Sequence, residues 1–177
     1  GFRFFDTAEI YGQGRSETYL GDFARETDLP LIIASKFMPF PWRLSPHSLK
    51  KALNASLNRL KMTRIFLYQM HQPLPPVKIE RWMGAMAEVV HEGLIDAVGV
   101  SNYDLQQTLQ AQKALVREGI QLTSTQMEYN LLDRRIEKNG LMDFCKEQGI
   151  MIIAYSPMAM GVLTGKYTAA HPPQGCR

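Results

Sequence analysis

A carboxylate and a phenol near the start of the sequence are spaced so that they could perform proton chemistry. Asp6 ends an apolar stretch, residues 2–5, and Tyr11 follows five positions later. Gly12 and Gly14 permit the tight return that would bring the phenol back over the end of that stretch. A free phenol titrates at about pH 10, so Tyr11 needs a neighbouring group that helps it to release its proton.

Two later apolar runs also end in titratable groups. Lys36 follows the second run and His71 follows the third. Lysine is seldom buried without a partner. Taken singly, each residue also has a structural interpretation: a turn cap for Asp6, a surface position for Lys36, and packing for Tyr11 and His71. Their joint occurrence at three successive strand ends indicates a catalytic set.

Alternating strands and helices must position these groups. Apolar runs predict six strands, at residues 2–6, 31–35, 65–70, 97–100, 122–126 and 150–155. Capping signals predict one helix that begins at a Ser16 cap and a second that begins at Ser45-Pro46. Periodicity and capping signals predict three further helices, over residues 79–91, 104–116 and 136–148. Strand starts lie roughly 25 to 35 residues apart, which is typical of βα units in a parallel sheet. We expect a single domain over residues 1–177.

Two architectures fit this alternation, an open doubly wound sheet and part of a (β/α)8 barrel. Every strand ends in polar or reactive groups, and an open sheet would spread six such ends over about 24 Å. Closing the sheet brings them into a ring, where barrels carry their sites. Glu17 also stands where a dinucleotide-binding glycine fingerprint would need its third glycine after Gly12 and Gly14. The sequence therefore predicts a (β/α)8 TIM barrel.

A complete barrel has eight strands and about 250 residues, whereas this chain has 177 residues. We expect about six βα units, without the first and last strands of the barrel. The chain starts at Gly1 without a methionine, and residues 171–177 form a loop that leads to no further element. Both observations indicate a fragment of a longer protein.

Composition narrows the classes of function. Hydrophobic residues make up 45% and charged residues 21%, with a net charge of +3 and no basic cluster, so we expect no nucleic-acid partner. No apolar run reaches the roughly 18 residues that a membrane helix needs, so we expect no membrane insertion. Cys145 and Cys176 lack metal-ligand or redox spacing, which predicts no metal site and favours a reducing compartment.

Six motifs, in this order, resemble the aldo-keto reductase superfamily. They are DTAEIYG (6–12), IASKF (33–37), LYQMHQP (67–73), GVSNY (99–103), QMEYNLLDR (126–134) and AYSPMAMGVLTGKY (154–167). The later motifs are most similar to bacterial, cyanobacterial and plant plastid members and to potassium-channel β subunits. The resemblance implies an NADPH-dependent reductase of aldehydes and ketones in a (β/α)8 barrel, acting on a small carbonyl compound.

The resemblance also implies a role for each residue of the catalytic set. Tyr11 would be the general acid that protonates the carbonyl oxygen. Lys36 would lower the pKa of Tyr11, and Asp6 would pair with Lys36 and hold it in place. His71 would orient the carbonyl by a hydrogen bond, and histidine rather than glutamate at this position points to carbonyl reduction.

The residues implied to bind NADP(H) lie in the later motifs. Ser101, Asn102 and Gln126 would hold the nicotinamide carboxamide, Tyr155 would stack on the ring, and Lys166 would contact a phosphate. The loop along the pyrophosphate would consist of residues 156–163, including Ser156, Pro157, Met158, Gly161 and Leu163. The preference for NADPH over NADH is implied by the family alone.

Several alternatives remain open. A cofactor-binding regulatory subunit with little turnover would carry the same motifs, and so would a truncated product that is never active. Phe40 and Trp42, in the loop at residues 38–44, either line an apolar substrate wall or pack structurally. The cytoplasm and the plastid stroma are both compatible with the composition and the resemblance.

Overall fold

Six parallel strands in a single sheet form the framework of the molecule. A computed structural model describes residues 2–27, 29–168 and 170–172. The strands lie side by side in chain order: β1 (Phe4–Asp6), β2 (Ile32–Phe37), β3 (Ile65–Met70), β4 (Ile95–Ser101), β5 (Leu122–Glu128) and β6 (Met151–Tyr155). The sheet curls into a half-barrel, which confirms the prediction of about six units of a (β/α)8 fold.

Helices follow the strands and cover one face of the sheet. They are α1 (Arg15–Glu26), α2 (Pro46–Leu60), α3 (Ile79–His91), α4 (Leu105–Arg117), α5 (Arg135–Lys138) and α6 (Leu141–Gln148). Proline at the first position of α2 fits the helix start, since its missing N–H would have no partner there. Asp104 and Gln107 form a reciprocal capping box at α4, as the sequence predicts for an Asp104 cap.

Two predicted helix features are wrong. Ser16 does not cap α1, because Gly14 precedes the helix and the Ser16 hydroxyl instead lies 2.8 Å from the hydroxyl of Thr7. The helix predicted at residues 136–148 is divided into α5 and α6. Gly140, with φ of 82°, interrupts it because a left-handed residue cannot continue an α-helix.

The main hydrophobic core lies between the sheet and its helices. Ile33, Phe37, Tyr68 and Val98 face the helices and pack among the buried apolar side chains of α2, α3 and α4. Alternate residues of the strands point to the other side, which is the inner face of the half-barrel.

Gly99 lets the inner face pack tightly. A Cβ atom at this position would lie 2.5 Å from Ser124 Oγ and 2.8 Å from Gln69 Cγ. The side chains of Gln69 and Ser124 therefore occupy the space that Gly99 leaves free. This brings polar groups of β3 and β5 together across β4.

Two further findings concern composition. Among the described residues, no helix is long and apolar enough to cross a membrane. Cys145 is a buried free thiol, whereas Cys176 lies outside the described residues, as does most of the terminal loop at residues 171–177.

Candidate active site

Lys36 is the most deeply buried charge at the carboxyl ends of the strands. Its side chain is fully buried, and its Nζ donates to Asp6 Oδ2 at 2.6 Å and to the carbonyl of Thr7 at 2.8 Å. The expected pairing with Asp6 is thus present. Burial lowers the pKa of Lys36, while the Asp6 carboxylate opposes that shift.

Gln69 extends this ion pair across the inner face. Its Nε2 donates to Asp6 Oδ1 at 3.1 Å, so both carboxylate oxygens of Asp6 accept hydrogen bonds. Sequence reasoning missed this residue. The available signal was a single amide inside the otherwise apolar run of β3, which needs a polar partner when buried.

Tyr11 lies in a tight turn above the ion pair. Gly12, Gln13 and Gly14 all have positive φ, which reverses the chain between β1 and α1. The Tyr11 ring is partly exposed, and Lys36 Nζ lies 5.0 Å from its centroid. The glycine-dependent return predicted from the sequence therefore brings phenol and ammonium together.

The pKa of Tyr11 shifts in the direction opposite to that expected. Burial raises it most, and the charges of Asp6 and Tyr155 raise it further. The main reason is that burial disfavours the charged phenolate, and the negative charge of Asp6 adds to this effect. Tyr11 is accordingly a protonated phenol at neutral pH.

His71 contacts the Tyr11 ring edge to face, with the ring centroids 5.7 Å apart. Burial, followed by the charge of Lys36, lowers the pKa of His71 to about 4. The imidazole is therefore neutral near pH 7. Its buried Nδ1 has no hydrogen-bond partner among the described residues.

A second polar group lies next to His71. Tyr155 donates its hydroxyl to Asn102 Oδ1 at 2.8 Å, and Asn102 Nδ2 donates to the His71 carbonyl at 3.2 Å and to Ser101 Oγ at 3.1 Å. Ser101 in turn donates to the carbonyl of Gln126. The structure thus brings together all four residues that the sequence assigned to the nicotinamide.

These four residues fit a planar carboxamide and an aromatic ring. Gln126 is almost completely buried, and its backbone carbonyl accepts from Ser101 Oγ at 3.1 Å. A side-chain amide such as that of Gln126 can pair with another amide, and the half-buried ring of Tyr155 offers an aromatic surface. Asn102 adopts a left-handed conformation, φ 61°, which turns its side chain back toward Ser101.

The predicted phosphate loop runs over the surface after β6. Its residues Ser156, Pro157, Met158, Gly161 and Leu163 are exposed or partly exposed, and Ser156 and Gly161 have positive φ. Lys166 Nζ lies 4.8 Å from the Tyr167 ring centroid. The loop therefore leaves backbone groups and one ammonium open to solvent.

A cavity of about 300 Å³ lies beside Asn102 and Tyr155. Asn102 and Tyr155 line it together with Asp104, Glu128, Asp133 and Arg135. Arg135 donates hydrogen bonds to Asp133, two positions earlier in the sequence. Because Asp104 and Glu128 add two further carboxylates, the lining carries more negative than positive charge. No cluster of three His, Cys, Asp or Glu side chains in the described part of the chain could hold a metal ion.

Comparisons with known proteins agree with the fold and the motifs. The model of the aldo/keto reductase family matches residues 1–176, so the chain belongs to this family. The chain is 36% identical over 191 residues to the chloroplastic pyridoxal reductase of Arabidopsis thaliana, covering all of this chain and 52% of that protein. It is 30% identical over 200 residues to the NADH-specific methylglyoxal reductase of Escherichia coli, covering all of this chain and 59% of that protein.

A solved structure shows the same architecture. The aldo/keto reductase of Klebsiella pneumoniae, crystallised with NADP and acetate, superimposes with a TM-score of 0.82 at 29% identity. The match covers 93% of this chain and 56% of that one. The chain therefore spans a little over half the length of these relatives.

Proposed function

We propose that this protein is an NADP(H)-dependent oxidoreductase that reduces aldehydes or ketones to alcohols. The observation that carries the proposal is the convergence of Tyr11, Lys36, Asp6 and His71 from three successive strand ends. Family membership and the NADP complex of the Klebsiella relative support it. The roles below are proposals for this chain.

The proton comes from Tyr11. When bound, the nicotinamide supplies a hydride to the carbonyl carbon, and the carbonyl oxygen takes the phenolic proton to become a hydroxyl. The raised pKa keeps Tyr11 protonated until then. Once the proton has left, the Lys36 ammonium, 5.0 Å from the ring centroid, stabilises the phenolate.

His71 would orient the substrate, and the residues implied to hold the nicotinamide would orient the cofactor. A neutral imidazole beside Tyr11 can donate a hydrogen bond to the substrate oxygen without adding a second positive charge next to Lys36. Ser101, Asn102 and Gln126 would hold the carboxamide and Tyr155 the ring face. Ser156, Pro157, Met158, Gly161, Leu163 and Lys166 would contact the phosphates.

Cofactor preference and location are also proposals. NADP(H) is favoured by the Klebsiella complex, although the E. coli relative is named NADH-specific. A reducing compartment, either cytoplasm or plastid stroma, remains our prediction, and the Arabidopsis relative is named chloroplastic. A single domain over residues 1–177 likewise stays a prediction.

The test is Tyr11→Phe in a full-length barrel that contains this chain. Removing the proton donor should lower aldehyde-dependent NADPH oxidation by about 100-fold or more. Binding of NADPH, measured by its fluorescence, should persist, because Tyr11 is not among the residues proposed to hold the nicotinamide. Tyr19→Phe, on the exposed side of α1, is the matched control and should retain full turnover.

Unchanged turnover in Tyr11→Phe would contradict the proposal. The same experiment addresses the alternative of a regulatory subunit. That alternative predicts NADPH binding with no turnover of any aldehyde by the unmodified protein.

A further inference from the structure

Glu9 is a buried carboxylate two residues before Tyr11, and neither the motif roles nor the proposed mechanism uses it. Only 8% of its side chain is exposed. Its Oε1 accepts from the backbone N–H of Met38 at 2.7 Å, and its two oxygens accept from the guanidinium of Arg43. The carboxylate therefore reaches from the turn after β1 to the loop after β2.

Arg43 also contacts the backbone of Met38, at its carbonyl group. Besides its two bonds to Glu9, its guanidinium donates to the Met38 carbonyl at 2.9 Å. Its Cζ lies 4.9 Å from the Phe37 ring centroid and 5.4 Å from that of Phe40. These rings shield the ion pair from water, which strengthens charge-assisted hydrogen bonds.

The loop that this pair anchors carries an aromatic surface. Phe40 and Trp42 are stacked with centroids 4.6 Å apart and planes inclined by 6°. Trp42 is 73% exposed, so one large ring is presented to solvent. The loop begins where β2 ends, one residue after Phe37, whose carbonyl accepts from the N–H of His71.

The Glu9–Arg43 pair thus connects the turn that bears Tyr11 to the loop that bears the aromatic stack. We propose that it sets the spacing between them and so selects carbonyl compounds whose planar aromatic group rests on Phe40 and Trp42. This inference depends on the proposed reductase function. Contacts with a remote group assist a reaction only where the enzyme fixes their distance from the reacting atoms.

Substrate size separates this role from a purely structural one. Loss of the Glu9–Arg43 pair should impair the reduction of an aromatic aldehyde that contacts the loop. It should not impair the reduction of a small aliphatic aldehyde that contacts only Tyr11 and His71. In a full-length barrel, Glu9→Gln and Arg43→Met should each raise KM for 4-nitrobenzaldehyde about tenfold. The value of kcat/KM for propanal should stay within about twofold of the unmodified protein.

Further variants make the comparison decisive. Glu9→Gln/Arg43→Met should be no worse than either single variant, because the two side chains act as one unit. Arg43→Lys should be intermediate, because an ammonium keeps the charge but cannot match both carboxylate oxygens. Lys50→Met breaks an exposed ion pair with Glu92 and should leave the kinetic constants for both aldehydes unchanged.

An independent readout is the fluorescence of Trp42. Trp82 is only 2% exposed, and the acrylamide-quenched emission that is lost in a Trp42→Phe variant reports Trp42. Loss of the ion pair should alter this quenching without a matching loss of propanal turnover. Equal losses for both aldehydes, or none for either, would overturn the inference while leaving the reductase proposal intact. If the unmodified protein reduces neither aldehyde, the reductase proposal itself fails.

Discussion

At the scale of single residues, the site is a set of charges that balance one another. Lys36 is buried completely, and an unpaired ammonium in that position would be costly. Asp6 neutralises it, and Gln69 satisfies the second oxygen of Asp6. Replacing Asp6 would leave the buried Lys36 ammonium without its counter-ion, so the two residues behave as one unit.

The low pKa of His71 predicts a defined dependence of stability on pH. Burial lowers the pKa of His71 to about 4 in the folded protein, compared with about 6.5 for a histidine in an unfolded chain. Between these values the unfolded state binds more protons, so the free energy of unfolding rises with pH across this window and falls as pH drops from 6.5 toward 4. Urea unfolding at a series of pH values measures it.

His71→Gln provides the comparison for this prediction. The variant lacks the titrating group, so its free energy of unfolding should depend less on pH between 4 and 6.5 than that of the unmodified protein. Parallel curves for the two proteins would contradict the assignment. An NMR titration that shows a charged His71 at pH 6 would do the same.

Sequence reasoning reached the reactive groups but not their supports. Tyr11 and Lys36 could be predicted to meet because the carboxyl ends of neighbouring parallel strands share one edge. Glu9 and Arg43 could not, because an ion pair between two loops depends on loop conformations that no periodicity encodes. The pKa of Tyr11 was also misjudged, since burial and Asp6 outweigh the effect expected of Lys36.

At the scale of elements, Gly21 governs how closely α1 and α2 approach. A Cβ atom there would lie 2.6 Å from the Arg59 carbonyl and 2.7 Å from that of Leu60. Backbone cannot move aside as a flexible side chain can, so Gly21→Ala should lower the free energy of unfolding by on the order of 2 kcal/mol. Chemical denaturation of a full-length barrel measures this change.

Gly84 in α3 is the matched control. It is also helical, but no heavy atom lies within 4 Å of the position of its missing Cβ. Gly84→Ala should therefore stabilise the protein by about 0.5–1 kcal/mol through the helix propensity of alanine. A loss for both variants, or for neither, would show that the contact between α1 and α2 does not limit stability.

Elements themselves followed well from sequence where a physical signal was strong. The sequence predicts all six strands, because the strands of a parallel sheet form continuous apolar runs. The division between α5 and α6 was missed, because Gly140 sits within a regular apolar pattern that suggests an uninterrupted helix. Ser16 was misassigned, because a hydroxyl near a helix start can equally bond another side chain, here Thr7.

At the scale of the whole molecule, the half-barrel leaves sheet edges and inner-face apolar groups uncovered. Within the described residues, β1 pairs only with β2, and β6 only with β5. Phe4, Ile32 and Met151 are 44%, 38% and 66% exposed. Unpaired edges beside apolar surface favour association.

The 177-residue chain on its own should therefore self-associate at micromolar concentration. Sedimentation velocity should show species larger than a monomer, and a full-length barrel that contains this chain should lack them, because its sheet closes. A 177-residue chain that sediments as a folded monomer would contradict this expectation.

The order of the strands bears on how the protein is made. Since β1 to β6 lie in the sheet in the order in which they are synthesised, each new βα unit can dock on the one that left the ribosome just before it. The ion pair between Glu17 of α1 and Arg59 of α2 joins successive units in the same way. The turn with Tyr11 emerges before its supports, Lys36, Arg43 and Gln69, which follow within about sixty residues of chain, well before translation reaches β6.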